Sequence, residues 1–182
     1  VVVDTNVFIS GIFWDGNFCS QIIDHWRNSK ITMISSIEII EELGNTLKDS
    51  NAFTFEAWIN WNGGGSWQRI FDFGNGTNTG NMFLTPENGV NSRMRFGITT
   101  TGNSAEQQLE FSRTLNTNTW EYVVVVLNGT GGSVYLNGIL NNQSAITLTP
   151  SNLGNTINNW LGKSQYPDPY FSGNMDNVRI YN

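Results

Sequence analysis

From residue 51 onward, short apolar and aromatic runs are separated at near-regular spacing by Asn-Gly-Gly-Gly, Asn-Gly-Thr, Thr-Gly-Asn and Asn-Gly turns. The apolar period of a helix is absent there. Eight runs read as strands: 53–60, 68–73, 81–84, 94–99, 108–111, 121–127, 133–136 and 177–181. In the first, Phe53, Phe55, Ala57 and Ile59 alternate with Thr54, Glu56 and Trp58, which puts the two sets on opposite faces. Residues 123–126 are all valine, the pattern of a central strand covered on both sides. Leu136-Asn137-Gly138-Ile139 signals a hairpin, because Asn-Gly tolerates the positive φ of a type I′ turn. Short strands with frequent turns fold as a sandwich or barrel of antiparallel sheets.

Residues 1–48 follow another pattern. Residues 1–9 are β-branched and apolar, a buried strand. Ile22, Ile23 and Trp26 have helical spacing, residues 31–34 read as a second strand, and Ile39, Ile40, Leu43 and Leu47 mark an amphipathic helix capped by Ser36. Strand–helix–strand–helix order suits a parallel sheet. The expected domains are therefore a short, incomplete α/β segment, 1–48, and a mainly β domain, 49–182.

Charge narrows the function. Nine Lys and Arg against fifteen Asp and Glu give a net charge of −6. Phosphate binding needs a field of cations, so no nucleic-acid partner is expected. No apolar run is long enough to span a bilayer. The N-terminus lacks a basic region, and Asp4 interrupts its apolar run, so it does not read as a signal peptide. The lone cysteine, Cys19, excludes an intrachain disulfide.

Six motifs in one order carry a resemblance. Phe53-Thr-Phe-Glu-Ala-Trp-Ile59, Trp67-Gln-Arg-Ile-Phe-Asp-Phe-Gly74, Trp120-Glu-Tyr-Val-Val-Val-Val126, Val134-Tyr-Leu-Asn-Gly138, Trp160-Leu-Gly-Lys-Ser-Gln-Tyr166 and Gly173-Asn-Met-Asp-Asn-Val-Arg-Ile-Tyr-Asn182 together resemble the concanavalin A-like lectin/glucanase superfamily, laminin-G-like branch. The resemblance implies a two-sheet antiparallel jelly roll. It also implies a non-catalytic carbohydrate-binding or adhesive module of a secreted glycan-processing protein, or a structural spacer within one. No cofactor is required, although some members hold calcium. The family pattern begins one strand upstream of Phe53. Without that strand, the edge formed by residues 177–182 is left open.

A second resemblance covers residues 1–48. Val3-Asp-Thr-Asn-Val-Phe-Ile-Ser10, Ile34-Ser-Ser and Glu38-Ile-Ile-Glu-Glu-Leu43 resemble the opening of a PIN-domain ribonuclease, a family that includes toxins of toxin–antitoxin pairs and whose parent would be cytoplasmic. It implies metal-binding roles for Asp4 and Glu42, with Asn6 orienting the first. Metal-dependent phosphodiester cleavage needs several converging carboxylates, and the pattern ends before supplying the others, so no nuclease activity is expected. The seam between the patterns reads as a chimeric gene, or as recruitment of residues 1–9 as a substitute strand.

The sugar-binding candidates are aromatic and carboxylate residues on loops. Trp61 and Trp67 flank the Gly63–Gly65 turn, either as stacking platforms or as lids over a sheet end. Pro167 and Pro169 stiffen a loop that presents Tyr166, Asp168 and Tyr170, with Gln165 beside it. Rings there can cover sugar C–H faces while the acid accepts from hydroxyls. The remaining tryptophans of the motifs, Trp58, Trp120 and Trp160, are expected in the core. Asp72 and Asp176 are the calcium candidates, or else partners of Arg69 and Arg179. With a single histidine, His25, a nucleophile triad has no support.

Overall fold

The computed structural model describes residue 42, residues 44–103 and residues 105–182. The expected strands and helices of residues 1–41 therefore lie outside the described residues. One compact unit spans Gly44–Asn182 and starts upstream of the seam expected at residue 48. It opens with a helical stretch over residues 44–47, whose Leu47 is buried.

Ten strands follow: β1 (Phe53–Trp61), β2 (Phe71–Gly74), β3 (Asn81–Thr85), β4 (Arg95–Thr99), β5 (Gln107–Glu110), β6 (Trp120–Leu127), β7 (Gly132–Leu136), β8 (Ile139–Ser144), β9 (Asn158–Leu161) and β10 (Gly173–Tyr181). One short helix, α1 (Pro150–Leu153), lies between β8 and β9. The strands form two antiparallel five-stranded sheets, ordered β10-β1-β6-β7-β8 and β5-β4-β3-β2-β9. The chain is thus mainly β, a two-sheet sandwich of the jelly-roll kind. Strand β6 is central, as expected, and among the described residues β10 is an edge strand.

The alternation in β1 determines which side faces the core. Phe53, Phe55, Ala57 and Ile59 are completely buried, while Trp58 on the other face is 41% exposed. From the opposite sheet come Phe71, Phe73, Met82, Leu84, Phe96, Ile98 and Leu109. Phe71 is central to this layer: its ring lies 4.6 Å from Phe55, 4.9 Å from Phe73 and 6.4 Å from Phe96. Each such phenylalanine contributes about 2–3 kcal/mol by leaving water. The hairpin forms as its sequence requires, with Asn137 at φ 53° and Gly138 at φ 79° between β7 and β8. Asn137 also accepts the Tyr122 N–H at 2.8 Å, tying the turn to β6.

The sheets differ in how their outer faces are covered. Every residue of β2, β3 and β4 is buried, so their outward positions lie under loops. Strand β6 instead alternates, with Val124 and Val126 half-buried on the outer side. The expected cover on both sides of residues 123–126 is therefore corrected: among the described residues, no loop buries the outward positions of this sheet. The same geometry corrects the core assignment of Trp58 and Trp120. Trp120 stands opposite Asn60, on the outer face, and is 45% exposed. Trp160 pairs with Asp72, also outward, with Lys163 Nζ 3.8 Å above its ring.

Candidate functional site

The loop-covered face of the β5-β4-β3-β2-β9 sheet brings together three of the sequence candidates, Trp67, Asp72 and Asp168. Asp72 lies between Phe71 and Phe73, so its side chain points away from the core. Its oxygens accept from Arg69 Nε (3.3 Å), Asn81 Nδ2 (2.9 Å) and the Gln165 backbone N–H (3.0 Å). Arg69 reaches Asp168 with Nη2 at 3.3 Å and donates from Nη1 to the Trp67 carbonyl at 2.6 Å. One guanidinium thereby links Asp72, Asp168 and Trp67. Burial works against both charges, pushing the Asp72 carboxyl up and the Arg69 guanidinium down from their ordinary values. The donors around Asp72, and the acids around Arg69, oppose those shifts.

Trp67 has a left-handed backbone, φ 66°, a rare state for a bulky residue. Its N–H donates to the Glu87 carbonyl at 2.8 Å. The ring lies against Gly89, where an added Cβ would come within 2.5 Å of Nε1. The Arg69 and Arg95 guanidinium carbons lie 5.6 Å and 5.4 Å from the ring centroid, so two cations share one indole. Arg95 also pairs with Glu110 at 2.8 Å and stands 3.6 Å from Glu106 Oε1. Gly97 makes room for Glu106 and for the Phe83 ring; a Cβ there would meet each at 2.8 Å. The Glu106 side chain is 9% exposed, burial pushes its carboxyl up, and its Oε1 has no hydrogen-bond partner among the described residues.

The remaining candidates have separate positions. Trp61 is 3% exposed and donates from Nε1 to Gln68 at 3.2 Å, which fits the lid alternative and leaves no ring face for stacking. Gln165 is also buried. Its Oε1 accepts the Gly76 N–H at 2.9 Å and its Nε2 donates to the Asn158 carbonyl at 2.8 Å, so its amide holds loops rather than facing a ligand. Tyr166 is half-buried; its hydroxyl accepts from Asn78 N–H and donates to Asn103, both at 3.2 Å. Asp168 is 23% exposed and accepts from Ser164 at 2.8 Å. Tyr170 is 72% exposed. The loop carrying it packs on the glycine turn, since a Cβ on Gly65 would lie 3.2 Å from Pro169.

Asp72 and Asp176 do not form one cation site. They sit on different sheets, Asp72 already accepts three protein donors, and Asp176 accepts from Asn177. Among the described residues, no three His, Cys, Asp or Glu side chains cluster as metal ligands. Of the nuclease-like set, Asp4 and Asn6 lie outside the described residues, and Glu42 is helical and exposed.

Sequence reasoning found Arg69 and Asp72 as a pair but missed Arg95 and Glu106. Arg95 was accessible as the charged position between Met94 and Phe96 in a buried strand. Nothing local marks Glu106, which reaches the site only through the loop before β5.

Residues 39–182 match the family described as the concanavalin A-like lectin/glucanases superfamily, and the chain belongs to it. Solved structures show the same fold. Domain 4 of AbnA, a GH43 extracellular arabinanase from Geobacillus stearothermophilus in complex with arabinotriose, is similar with TM-score 0.63 and 21% identity, over 72% of this chain and 61% of that one. This chain thus spans about three fifths of that domain's length. The Ruminococcus gnavus IT-sialidase CBM40 bound to α2,3 sialyllactose is similar with TM-score 0.62 and 17% identity, over 75% of this chain and 78% of that one. No curated protein matches. Among the described residues, no helix is long and apolar enough to cross a membrane.

Proposed function

We propose that the sandwich is a non-catalytic carbohydrate-binding module of a secreted glycan-processing protein, taking its sugar at Trp67 between the Asp168 loop and Glu106. The observation that carries this reading is Trp67 itself. A half-buried indole is held in a strained backbone state by two guanidinium groups, and strain of this kind collects at ligand sites. Glu106 Oε1, buried beside Arg95 without a hydrogen-bond partner among the described residues, supports this reading as an acceptor for a sugar hydroxyl. Tyr170 adds an exposed ring at the rim, and Tyr166 and Gln165 fix the loop that carries Asp168. Membership of the superfamily and the sugars bound to two structural neighbours support the reading.

The charge arrangement supports binding rather than hydrolysis. Glycoside cleavage needs one protonated acid and one free carboxylate flanking the bond. Asp72, Asp168, Glu106 and Glu110 each face an arginine on this sheet. A glycan array followed by calorimetric titration tests the proposal. Binding should be lost in Trp67→Ala and fall in Tyr170→Ala and Glu106→Gln. Unchanged affinity in Trp67→Ala would remove the site from this face.

A further inference from the structure

The outer face of the β10-β1-β6-β7-β8 sheet carries a second aromatic surface, directed away from the Trp67 face. Strand register defines it. Trp58 stands opposite Tyr122 on β6 and opposite Asp176 on β10, while Asn60 stands between Trp120 and Asn174. Trp58 and Trp120 are 41% and 45% exposed. The rings of Trp58 and Tyr122 are 5.3 Å apart at 40°. Trp120 and Tyr122 are two residues apart on one strand, so successive aromatic rows are about 6.6 Å apart along the sheet.

Tyr122, against which Trp58 packs, and Tyr181 are held in place before any ligand arrives. Glu56 accepts from the Tyr122 hydroxyl, from Arg179 Nη1 at 2.9 Å and from the Tyr181 hydroxyl at 3.1 Å. One carboxylate thus fixes two tyrosines and Arg179, the only cation among these rows in the described residues. Exposed aromatic area costs solvation free energy, and side chains already ordered lose little entropy on binding.

We infer that this face binds an extended, uncharged polysaccharide chain. The row of exposed rings offers several stacking positions, and no described residue walls it off. Thr54, Asn60, Asn174 and Asp176 border the rings and supply hydrogen-bonding groups for hydroxyls. Charge selects against anionic glycans: Arg179 is already paired with Glu56, and Asp176 pairs with no cation among the described residues. A protein partner would meet a surface whose exposed rings are interspersed with Asn, Thr and Asp, groups it would have to desolvate. A glycan matches the same groups hydroxyl by hydroxyl.

Native affinity electrophoresis of the full chain decides this. Gels contain hydroxyethyl cellulose, xylan or arabinan, with polygalacturonate as the charged control. At least one neutral polymer should retard the chain, and in a Trp67→Ala background that removes the first site, Trp58→Ala and Trp120→Ala should each weaken the remaining binding about tenfold. Both substitutions are at exposed positions, and a thermal melt verifies folding of each variant. Equal retardation of wild type and the Trp58→Ala/Trp120→Ala double variant would overturn the inference. So would retardation only by polygalacturonate, or by no polymer. Binding sensitive to Trp67→Ala alone would overturn it while sparing the reading of the first site. Sedimentation showing a dimer that Trp58→Ala dissolves would assign the face to a second copy and overturn it too.

Discussion

Glu56 and Arg179 stand directly opposite each other on β1 and β10, with Nη1 and Oε1 2.9 Å apart. Burial pushes the Glu56 carboxyl up, but hydrogen bonds from Tyr122, Arg179 and Tyr181 outweigh it and leave the carboxyl below its ordinary value. The stabilisation from this cluster is therefore complete above the unfolded carboxylate's titration, near about pH 4.3, and is lost as pH falls through the lower folded value. Glu56→Gln should cost about 1 kcal/mol at neutral pH, given the partial exposure of the pair. Urea unfolding of both forms at pH 7 and pH 3 measures this, and the difference should shrink at the acid end.

Tyr122 reports the same cluster from the alkaline side. Burial first, and the Glu56 carboxylate next, push its hydroxyl up to about 12. Because the folded value lies above the unfolded one, the stability it confers is present below about pH 10 and declines as pH rises through the folded value. Ultraviolet titration should show Tyr122 and Tyr181 ionising late, and Glu56→Gln should move both steps earlier. A tyrosine titration identical in both proteins would contradict the hydrogen bond.

Asp72 and Asp168 both face Arg69 but should differ in cost. Asp72 is completely buried, and Asp72→Ala leaves Arg69 with less compensation for its lost hydration. A loss of about 3–5 kcal/mol is expected from breaking a buried pair. Asp168 is 23% exposed, so water can replace part of its role, and Asp168→Ala should cost about 1 kcal/mol. Denaturant midpoints of the two variants check the order; equal losses would mean that the Asp168 loop is as structural as β2.

The sandwich was legible where alternation and turn chemistry act locally. Phe53 to Ile59 gave the inner face of β1, and Asn137-Gly138 gave a hairpin. Strand β9 is not legible as a strand, because Asn158-Asn159-Trp160-Leu161 has too little apolar alternation and, among the described residues, pairs only through β2. Residues 68–70 read as strand but precede it, since Trp67 turns the backbone left-handed and Arg69 folds back onto Asp72. The expected Asp176–Arg179 pair does not form. Arg179 instead meets Glu56 directly across the β1–β10 ladder. The Arg69–Asp72 half of the site is close in sequence and was visible. The Arg95–Glu106 half depends on which loop covers the sheet, and composition does not encode that.

Trp67 separates backbone strain from ring chemistry. Its φ of 66° is costly for any residue with a Cβ and nearly free for glycine. Trp67→Gly and Trp67→Ala both remove the indole, its cation contacts and the proposed stacking face, so both should abolish sugar binding at this site. They differ only in backbone cost. The glycine variant should be the more stable by about 1 kcal/mol, against the usual penalty for introducing glycine. Thermal melts alongside the titrations read both effects. If alanine proves equal or better, the left-handed turn is not intrinsic to the loop but is imposed by the tryptophan ring held between Arg69 and Arg95.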